Sequence, residues 1–386
     1  MQAMSVKDMR LGIIINRREE TALLTHRHDY VPPPDAQEKA NIVVRALLDA
    51  EQKTGTAFHN KIFMETDNYS VAIEADTNRS SPQSKIFMGV KYLTDPHSWS
   101  KNEMEAVFLH EIGHEHYAPL MQKFGVESYV SGLIDDVKKI DKKFRADPEK
   151  TTAHIIKYYG GLDKFIEDIR RLHTIVKERY SAMNYDPLRN TSDAQVAAWL
   201  IDEHKSLLKK LRIGNSPLQI YAELPALSRE VYDIEYRLEH CFSKEIDSKD
   251  IVGGRACTSE FRNALDEAMP LFIERRRSYN QLKRGEEFLC DDFSVIHSDE
   301  PSVPVDVMKK IDVQAKVSTK EPADYEHPSY HDRIARMSAL AKRVETGRKM
   351  CGSLALAGNS SAPENDKSYS DWVRRMDVSS ASRTPS

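Results

Sequence analysis

Apolar residues recur along the first part of the chain at two different periods, which predicts one helix and two short strands. From Ala40 to Leu48 they fall at three- and four-residue steps, as on one face of an amphipathic helix. Two strand-like runs follow at residues 70–74 and 85–90, and the loop between them is rich in Asn, Ser and Pro. These patterns predict a helix followed by two strands.

The rest of the chain is dominated by a helical pattern, which covers most of residues 121–285. We expect residues 286–325 to be irregular and a further helix to run from about residue 332 to 348. Residues 351–386 carry Ser, Asn and Pro with few large apolar side chains, which is typical of a disordered tail. The predicted fold class is therefore α+β, predominantly helical.

One helix start has a clear sequence pattern. Ser100 stands three residues before Glu103, which is the spacing of a capping box. Apolar residues from Met104 to Phe108 then form one face of the predicted helix. This face leads directly into residues 110–114, which read His-Glu-Ile-Gly-His.

The histidines of this segment predict a zinc site. His110 and His114 are four residues apart, so a helix projects both imidazoles from one face, where they can bind one metal ion. Glu111, beside the first histidine, can act as a general base on a water molecule at the metal. Gly113 allows another element to pack closely against the helix. The alternative is a surface helix whose histidines are incidental.

A catalytic zinc takes three protein ligands and leaves one position for water, so one ligand remains to be identified. A metzincin would continue with a glycine and a further histidine, but Tyr117 and Leu120 occupy those positions. Acidic residues further along the chain are the remaining candidates. They are Asp135, Asp136, Glu203 and Glu245.

Two stretches resemble a known family. Residues 102–114, Asn-Glu-Met-Glu-Ala-Val-Phe-Leu-His-Glu-Ile-Gly-His, resemble the active-site helix of the CAAX prenyl protease and heat-shock protease family of zinc peptidases. Residues 327–334, His-Pro-Ser-Tyr-His-Asp-Arg-Ile, resemble the family's C-terminal signature, a His-Pro followed by Arg-Ile at a helix start. The resemblance implies a zincin-like fold, with a small sheet packed on the active-site helix. It also implies a glutamate from a later helix as the third ligand.

In this family the glutamate lies in a segment that reads Glu-x-x-x-Asp. We match this segment to residues 244–254, which implies Glu245 as the third ligand, with Glu203 as the next choice. The match is incomplete, because Lys249 stands where the aspartate is expected and Asp250 falls one residue late.

The resemblance also implies the domain organisation. Glu245 follows His114 by 131 positions, which is more than the family's usual spacing and implies a helical insertion around residues 125–225. The peptidase domain is then expected to span residues 35–348, after an N-terminal extension of residues 1–34.

Two downstream residues acquire expected roles from the resemblance alone. His327 is implied to lie beside the metal, where it caps or gates the open position. Arg333 is implied either to fix that segment or to stabilise the anionic tetrahedral intermediate. A loop histidine and a salt-bridged arginine at a helix start are the structural alternatives.

Composition excludes several classes of protein. The formal net charge is −4, which gives no overall attraction to nucleic acid or anionic membranes. No segment approaches the roughly 18–20 apolar residues of a membrane-spanning helix, and the N-terminus does not resemble a signal peptide. The four cysteines form no CxxC pair, which favours a reducing compartment. We therefore expect a cytoplasmic protein, although secretion by a route without a signal peptide would leave the same pattern.

These observations predict a zinc-dependent endopeptidase that binds one Zn²⁺ per chain and hydrolyses peptide bonds in protein or peptide substrates through a metal-activated water. Its expected ligands are His110, His114 and Glu245, with Glu111, His327 and Arg333 in catalytic roles. The alternative is a catalytically inactive zinc-binding domain that acts as an interaction module, which the incomplete glutamate segment suggests. A DNA-linked metalloprotease that shares the His-Glu-Ile-Gly-His segment is a third hypothesis, although no helix-turn-helix or basic stretch supports it.

Overall fold

The structure is a computed structural model in which several separate stretches of the chain are described. They are residues 11–26, 31–64, 71–76, 83–95, 99–122, 125–182, 191–212, 229–244, 258–315 and 326–357.

The described strands form one small mixed sheet. They are β1 (Leu11–Asn16), β2 (Thr21–His26), β3 (Phe58–Met64), β4 (Val71–Asp76) and β5 (Gln83–Met88). Their order across the sheet is β2-β1-β3-β5-β4, in which β3 and β5 are parallel and the other neighbours are antiparallel. β4 is therefore an edge strand of the described sheet.

Helices make up most of the rest of the described chain, which confirms the predicted α+β class. They are α1 (Ala36–Thr54), α2 (Lys91–Thr94), α3 (Lys101–Gln122), α4 (Gly125–Ala146), α5 (Pro148–Tyr158), α6 (Leu162–Ala182), α7 (Asp193–Arg212), α8 (Arg229–Phe242), α9 (Thr258–His297), α10 (Ser302–Ala315) and α11 (Tyr330–Ala357). None of the described helices combines the length and the apolar character that crossing a membrane requires.

A row of isoleucines crosses one face of the sheet. Ile13 on β1 pairs with Ile62 on β3, and Ile62 pairs with Ile86 on β5. Ile73 on β4 continues the row beyond Ile86. Because alternate residues of a strand point to the same face, this row marks the buried side of the sheet. It shares one apolar core with buried residues of α1 and α3, including Phe108, so the sheet packs on the helix that carries the histidines.

α9 connects this sheet-containing part to a second, all-helical core. It has 40 residues, which corresponds to about 60 Å at 1.5 Å per residue. Phe261 and Phe272 from its first half lie in a core shared with α4, α5, α6 and α8. Leu282 and Leu289 from its second half pack with α7, and this half also runs against α3. The second half of α9 is thus positioned beside the histidine helix.

Several sequence predictions are confirmed. The helix expected around residues 40–48 is α1, and the two predicted strands are β4 and β5. The capping box is formed: the backbone N–H of Ser100 donates to Glu103 Oε2 at 2.7 Å, and the N–H of Glu103 lies 3.3 Å from Ser100 Oγ. α3 accordingly begins at Lys101.

The prediction of an irregular stretch at residues 286–325 is wrong over its described part. α9 continues to His297, and α10 occupies Ser302–Ala315. The helix was not recognised because its buried face carries Glu286, Glu287 and Asp291 in place of apolar residues, so the usual apolar stripe is interrupted.

The described residues towards both ends of the chain form regular elements. Within the expected N-terminal extension of residues 1–34, residues 11–26 carry β1 and β2 of the sheet. The chain divides into two compact units, residues 1–341 and 342–386. The described part of the second unit is the remainder of α11, which runs to Ala357, and residues 358–386 of the expected tail lie outside the described residues.

Candidate metal centre

α3 presents His110 and His114 on one face, as the four-residue spacing predicts. Their rings stand nearly perpendicular, with centroids 5.1 Å apart and planes at 84°. Both side chains are partly buried, with 15% and 25% of their surface exposed. The two imidazoles therefore face a shared, partly enclosed space.

The second half of α9 supplies a glutamate to this space. Glu287 Oε2 lies 3.5 Å from His110 Nε2, and Glu287 Oε1 lies 3.5 Å from His114 Nε2. The ligand atoms of these three residues all lie within 4.8 Å of one another. Among the described residues they form the one group of His, Cys, Asp or Glu side chains close enough to hold a metal ion.

The other ring nitrogens face carboxylates. His114 Nδ1 is hydrogen bonded to Glu286 Oε1 at 3.1 Å. His110 Nδ1 lies 3.0 Å from Asp291 Oδ1, in a charge contact whose angle departs from that of a well-aligned hydrogen bond. A carboxylate beside Nδ1 of a histidine orients the ring so that Nε2 is available to a metal. Both rings thus direct Nε2 towards Glu287.

Arg333, near the start of α11, is held by the acids of α9. Its Nε and Nη2 donate to Asp291 Oδ2 and Oδ1 at 2.8 and 2.7 Å, and its Nη1 lies 3.2 Å from Glu287 Oε2. Arg333 and both carboxylates are almost fully buried. The guanidinium therefore fixes the two acids relative to each other.

Burial and charge shift the pKa values of these groups in opposing directions. Burial raises the pKa of Glu287, but the Arg333 charge and the two histidines outweigh it and hold the pKa well below its usual range. For Asp291, Arg333 likewise outweighs burial and lowers the pKa. Burial lowers the pKa of His110, but Asp291 and Glu287 raise it to about 10. A metal binding here would displace a proton from His110.

Acidic side chains are concentrated around the two histidines. Among the described residues, four carboxylates surround the pair: Glu111, Glu286, Glu287 and Asp291. Two cations, Arg333 and Lys283, contact these acids. The acids thus outnumber the lysine and arginine side chains that contact them. A bound divalent cation would add positive charge to this acid-rich site.

The donor set can hold a metal ion, and its composition is that of one class of zinc site. Two imidazole nitrogens and one carboxylate oxygen are the ligands of catalytic zinc sites of the His₂Glu type. Bond lengths of about 2.0–2.2 Å in a tetrahedron place neighbouring ligand atoms roughly 3.3–3.6 Å apart. His110 Nε2 lies 3.5 Å from Glu287 Oε2 and His114 Nε2 lies 3.5 Å from Glu287 Oε1, and one ligand atom from each residue lies within 4.8 Å of the others. The three side chains could therefore hold a metal ion once these atoms draw somewhat closer together.

Glu111 and His327 border the same space. A cavity of about 420 Å³ opens beside the three candidate ligands and is lined by Glu111, His327 and Arg333, among others. Burial raises the pKa of Glu111. His327 Nε2 lies 3.5 Å from Glu287 Oε1, and 62% of its side chain is exposed. The structure thus places both sequence-predicted residues in the wall of the cavity beside the three candidate ligands.

A glycine permits the close packing of α3 on α9. A Cβ atom added to Gly113 would lie 2.9 Å from the backbone Cα of Cys290, which is closer than real Cβ atoms approach. Cys290 lies between Glu287 and Asp291 on α9, so this contact sets the distance between the two helices at the site. The expectation that Gly113 allows close packing is confirmed.

The structure offers Glu287 as a candidate third ligand, whereas the sequence predicts Glu245, which stays untested. Glu245 lies outside the described residues. Glu203 lies on α7 and is not part of the group that could hold a metal. Asp135 and Asp136 form ion pairs with Arg276 and Lys139 on the helical side.

Glu287 was missed although the sequence contains a signal for it. Residues 287–291 read Glu-Phe-Leu-Cys-Asp, a complete Glu-x-x-x-Asp segment, whereas the segment at Glu245 lacks the aspartate. In the structure both acids of this segment contact the histidines: Glu287 faces the two Nε2 atoms, and Asp291 faces His110 Nδ1. The stretch was passed over because it was expected to be irregular.

No protein-family profile, curated protein or solved structure matches this chain. The site is therefore interpreted from its own geometry.

Proposed function

We propose that the protein is a zinc-dependent endopeptidase that hydrolyses peptide bonds of protein or peptide substrates. The observation that carries this proposal is the convergence of His110, His114 and Glu287 at one cavity, with Glu111 on the same wall. Ligands of this type leave one position open for a water molecule, and a glutamate beside it is the general base that such hydrolysis requires.

The resemblance of α3 and of residues 327–334 to the CAAX prenyl protease and heat-shock protease family supports the same proposal, including a zincin-like fold. The segment Glu287-x-x-x-Asp291 adds a third match in the expected order along the chain. The alternative of an inactive zinc-binding module was based on the incomplete match at Glu245. That motivation is removed if Glu287 is the ligand.

In the proposed reaction the residues of this chain position the reacting groups and transfer protons. Bound zinc would lower the pKa of a water molecule and polarise the substrate carbonyl. Glu111 accepts a proton from the attacking water and then passes it to the leaving nitrogen. Its burial, which raises the pKa of the carboxyl, makes it a stronger base than an exposed glutamate.

His327 and Arg333 contribute differently. All three nitrogen atoms of the Arg333 guanidinium face Asp291 or Glu287, so this residue positions the ligand set rather than contacting substrate. His327 is exposed at the rim of the cavity and can donate a hydrogen bond to the carbonyl oxygen as negative charge develops there.

An extended substrate can bind along the edge of the sheet. β4 pairs with β5 on one side and with no strand of the described chain on the other. Val71 on β4 also lines the cavity. A peptide that adds a strand to β4 would place its backbone beside the candidate ligands. Ser70, the residue just before β4, lies outside the described residues.

Exchange of the general base tests the proposal. We expect Glu111→Gln to lower cleavage of an unfolded protein such as casein by roughly 10²- to 10⁴-fold, because the amide cannot accept the water's proton. Zinc content per chain should stay near the wild-type value, since Glu111 is not one of the three candidate ligands. Both quantities are measured on protein purified without a metal-binding tag.

The matched control is Glu115→Gln, one helical turn further on. Glu115 hydrogen bonds to Ser84 and does not line the cavity, so its loss should leave cleavage within a few-fold of wild type. Undiminished cleavage by zinc-loaded Glu111→Gln would refute the mechanism. A zinc-loaded wild-type protein that cleaves no substrate would favour the inactive binding module.

A further inference from the structure

Three consecutive arginines stand near the middle of α9, at residues 275–277. Arginines in proteins are mostly exposed, so such a run alone suggests a solvated helix face. Arg277 fits that description, but Arg276 keeps only 16% of its side-chain surface exposed. A charge in that position requires partners of opposite sign, and the structure supplies two of them.

One nitrogen of Arg276 bridges two acids that are far apart in the sequence. Its Nη2 lies 2.8 Å from Asp135 Oδ2 and donates to Glu326 Oε1 at 3.1 Å. Asp135 belongs to α4, whose apolar face lies in the all-helical core, whereas Glu326 lies shortly before α11. The bridge therefore connects the helical core to the segment that leads into α11.

That segment carries His327 to the rim of the cavity. His327 follows Glu326 directly, and its ring is 62% exposed, with Nε2 3.5 Å from Glu287 Oε1. On the other side, Ser329 caps α11, because its Oγ accepts a hydrogen bond from the N–H of Asp332 at 3.1 Å. The backbone at His327 is thus held by an anchor on each side, while its ring has little packing of its own.

Stability alone does not account for the bridge. Asp135 and Glu326 keep 31% and 39% of their side-chain surface exposed, and ion pairs with partners of that exposure contribute little to folding. The bridge does fix the distance from α4 and α9 to the residue before His327. Arg276 itself does not line the cavity, so it can act on the site only through this segment.

We propose that Arg276 is a positioning residue for His327 and that the helical core holds it in place through Asp135. This role rests on the proposed peptidase function, in which His327 donates a hydrogen bond to the carbonyl oxygen. Misplacement of a reacting group by about 1 Å can lower a rate by as much as ~100-fold. Two residues outside the cavity therefore contribute to the reaction by fixing where His327 stands.

Hydrogen exchange of the full-length protein, followed by mass spectrometry, tests the anchor without any turnover. We expect Arg276→Ala to speed amide exchange in fragments that contain residues 326–329 by at least ~3-fold, because the segment then opens more often. Fragments from α4 and from the second half of α9 should exchange as in the wild type, which shows that the variant is folded. Arg277→Ala is the matched control, since Arg277 is exposed and lies outside the bridge.

The contribution of the helical core is tested at Asp135. Asp135→Asn should also speed exchange at residues 326–329, but by less than Arg276→Ala, because Arg276 keeps its hydrogen bond to Glu326. Asp136→Asn is the matched control on the same helix, since Asp136 pairs with Lys139 at 2.8 Å. Exchange unchanged by Asp135→Asn would overturn the part assigned to the helical core.

Kinetics distinguish positioning from a general structural role. Arg276→Ala should lower kcat and kcat/KM together by about 10-fold with zinc content unchanged, because the contact of His327 strengthens only in the transition state. In a His327→Ala background, which should itself cost about 100-fold, Arg276→Ala should change kcat by less than ~2-fold. An equal fall in both backgrounds would show that Arg276 acts by another route and would overturn the proposal.

The outcomes separate this proposal from the peptidase. Faster exchange at residues 326–329 in Arg276→Ala, with no cleavage of any substrate by the zinc-loaded wild type, would uphold the anchor and refute the peptidase. Cleavage by the wild type, with exchange and kcat both unchanged in Arg276→Ala, would overturn the anchor and leave the peptidase standing.

Discussion

Two clusters of buried acids in this protein differ in how their charge is compensated. In the helical part, Asp168 on α6 is 3% exposed and accepts hydrogen bonds from Arg237 at 2.8 Å and Tyr159 at 3.0 Å. Lys164 forms a further ion pair with it at 3.0 Å. One acid therefore meets two cations and a hydroxyl, which satisfies the charge completely within the protein.

In the cluster on the second half of α9, by contrast, several acids share few cations. Glu287 and Asp291 are buried with Arg333 as their shared cation, and Glu111 faces the same cavity. Among the described residues, these acids and Glu286 outnumber the lysine and arginine side chains that contact them. Buried acids contribute little stability unless they are paired, so this cluster is a weaker contributor to folding than the one at Asp168.

The two halves of α9 bury different kinds of side chain. The first half of α9 buries Phe261, Leu265 and Phe272, as a helix in a core should. The second half buries Glu287 and Asp291. The second half carries the buried acids that face the histidines, and it is also the half that borders the cavity.

Removal of the third ligand should have the largest effect. We expect Glu287→Gln to lower zinc affinity by more than ~100-fold, because even residues that only orient metal ligands contribute about 10- to 100-fold. Zinc per chain, measured by elemental analysis after dialysis, should fall from about one to near zero. The comparison variants are Glu245→Gln and Glu203→Gln.

These variants decide between the sequence-based ligand and the structural one. Near-normal zinc in Glu245→Gln and loss of zinc in Glu287→Gln would establish the geometry described above. The reverse result would show that Glu245 is the ligand and that Glu287 is a structural acid. Loss of zinc in Glu203→Gln would support the second sequence candidate.

Loss of Arg333, which Glu287 and Asp291 share, should lower stability more than loss of Arg237, which pairs with Asp168 in the helical part. Arg333→Ala leaves Asp291 and Glu287 buried without their cation, which should destabilise the fold by about 3–5 kcal/mol. Arg237→Ala should cost only about 1 kcal/mol, since its side chain is 29% exposed and Asp168 keeps Lys164. Urea unfolding of both metal-free proteins, followed by circular dichroism, measures the difference.

Equal destabilisation by the two substitutions would contradict the contrast between the clusters. It would mean that Asp291 and Glu287 take up protons or water as easily as a partly exposed acid does.

The residues that could be predicted from the sequence are those whose roles depend on local spacing. His110, Glu111 and His114 lie within one helical turn and a half, and the capping box at Ser100 fixes the start of their helix. Gly113 could be interpreted in the same way. Each of these predictions requires only the period of a helix.

The candidate third ligand depends on tertiary structure and was harder to predict. Glu287 lies 173 positions after His114, and the apolar periodicity that identifies helices is interrupted around it by the acids of the candidate site. The same buried acids therefore conceal the secondary structure of this stretch. α10 was missed for a related reason, because it lies in the same stretch, which the sequence predicts to be irregular.

Exchange of an acid that orients a histidine should have an intermediate effect. Glu286 is 5% exposed and contacts His114 Nδ1 without being a candidate ligand. We expect Glu286→Gln to weaken zinc binding by about 10- to 100-fold while leaving one zinc per chain at saturation. Competition with a chelator of known affinity measures the change. An affinity as low as that of Glu287→Gln would indicate that Glu286 itself binds the metal.

The smallest effect is expected at the contact between α3 and α9. Gly113→Ala places a methyl group against the backbone at Cys290, so the two helices must separate slightly. This separation should destabilise the fold by about 1–3 kcal/mol and weaken zinc binding.

Gly132→Ala in α4 is the matched control, because a Cβ there meets nothing within 4 Å. That substitution should stabilise the protein by about 0.5–1 kcal/mol through helix propensity alone. If both substitutions stabilised the protein equally and zinc affinity were unchanged, the spacing of the two helices would not be what places Glu287 opposite the histidines.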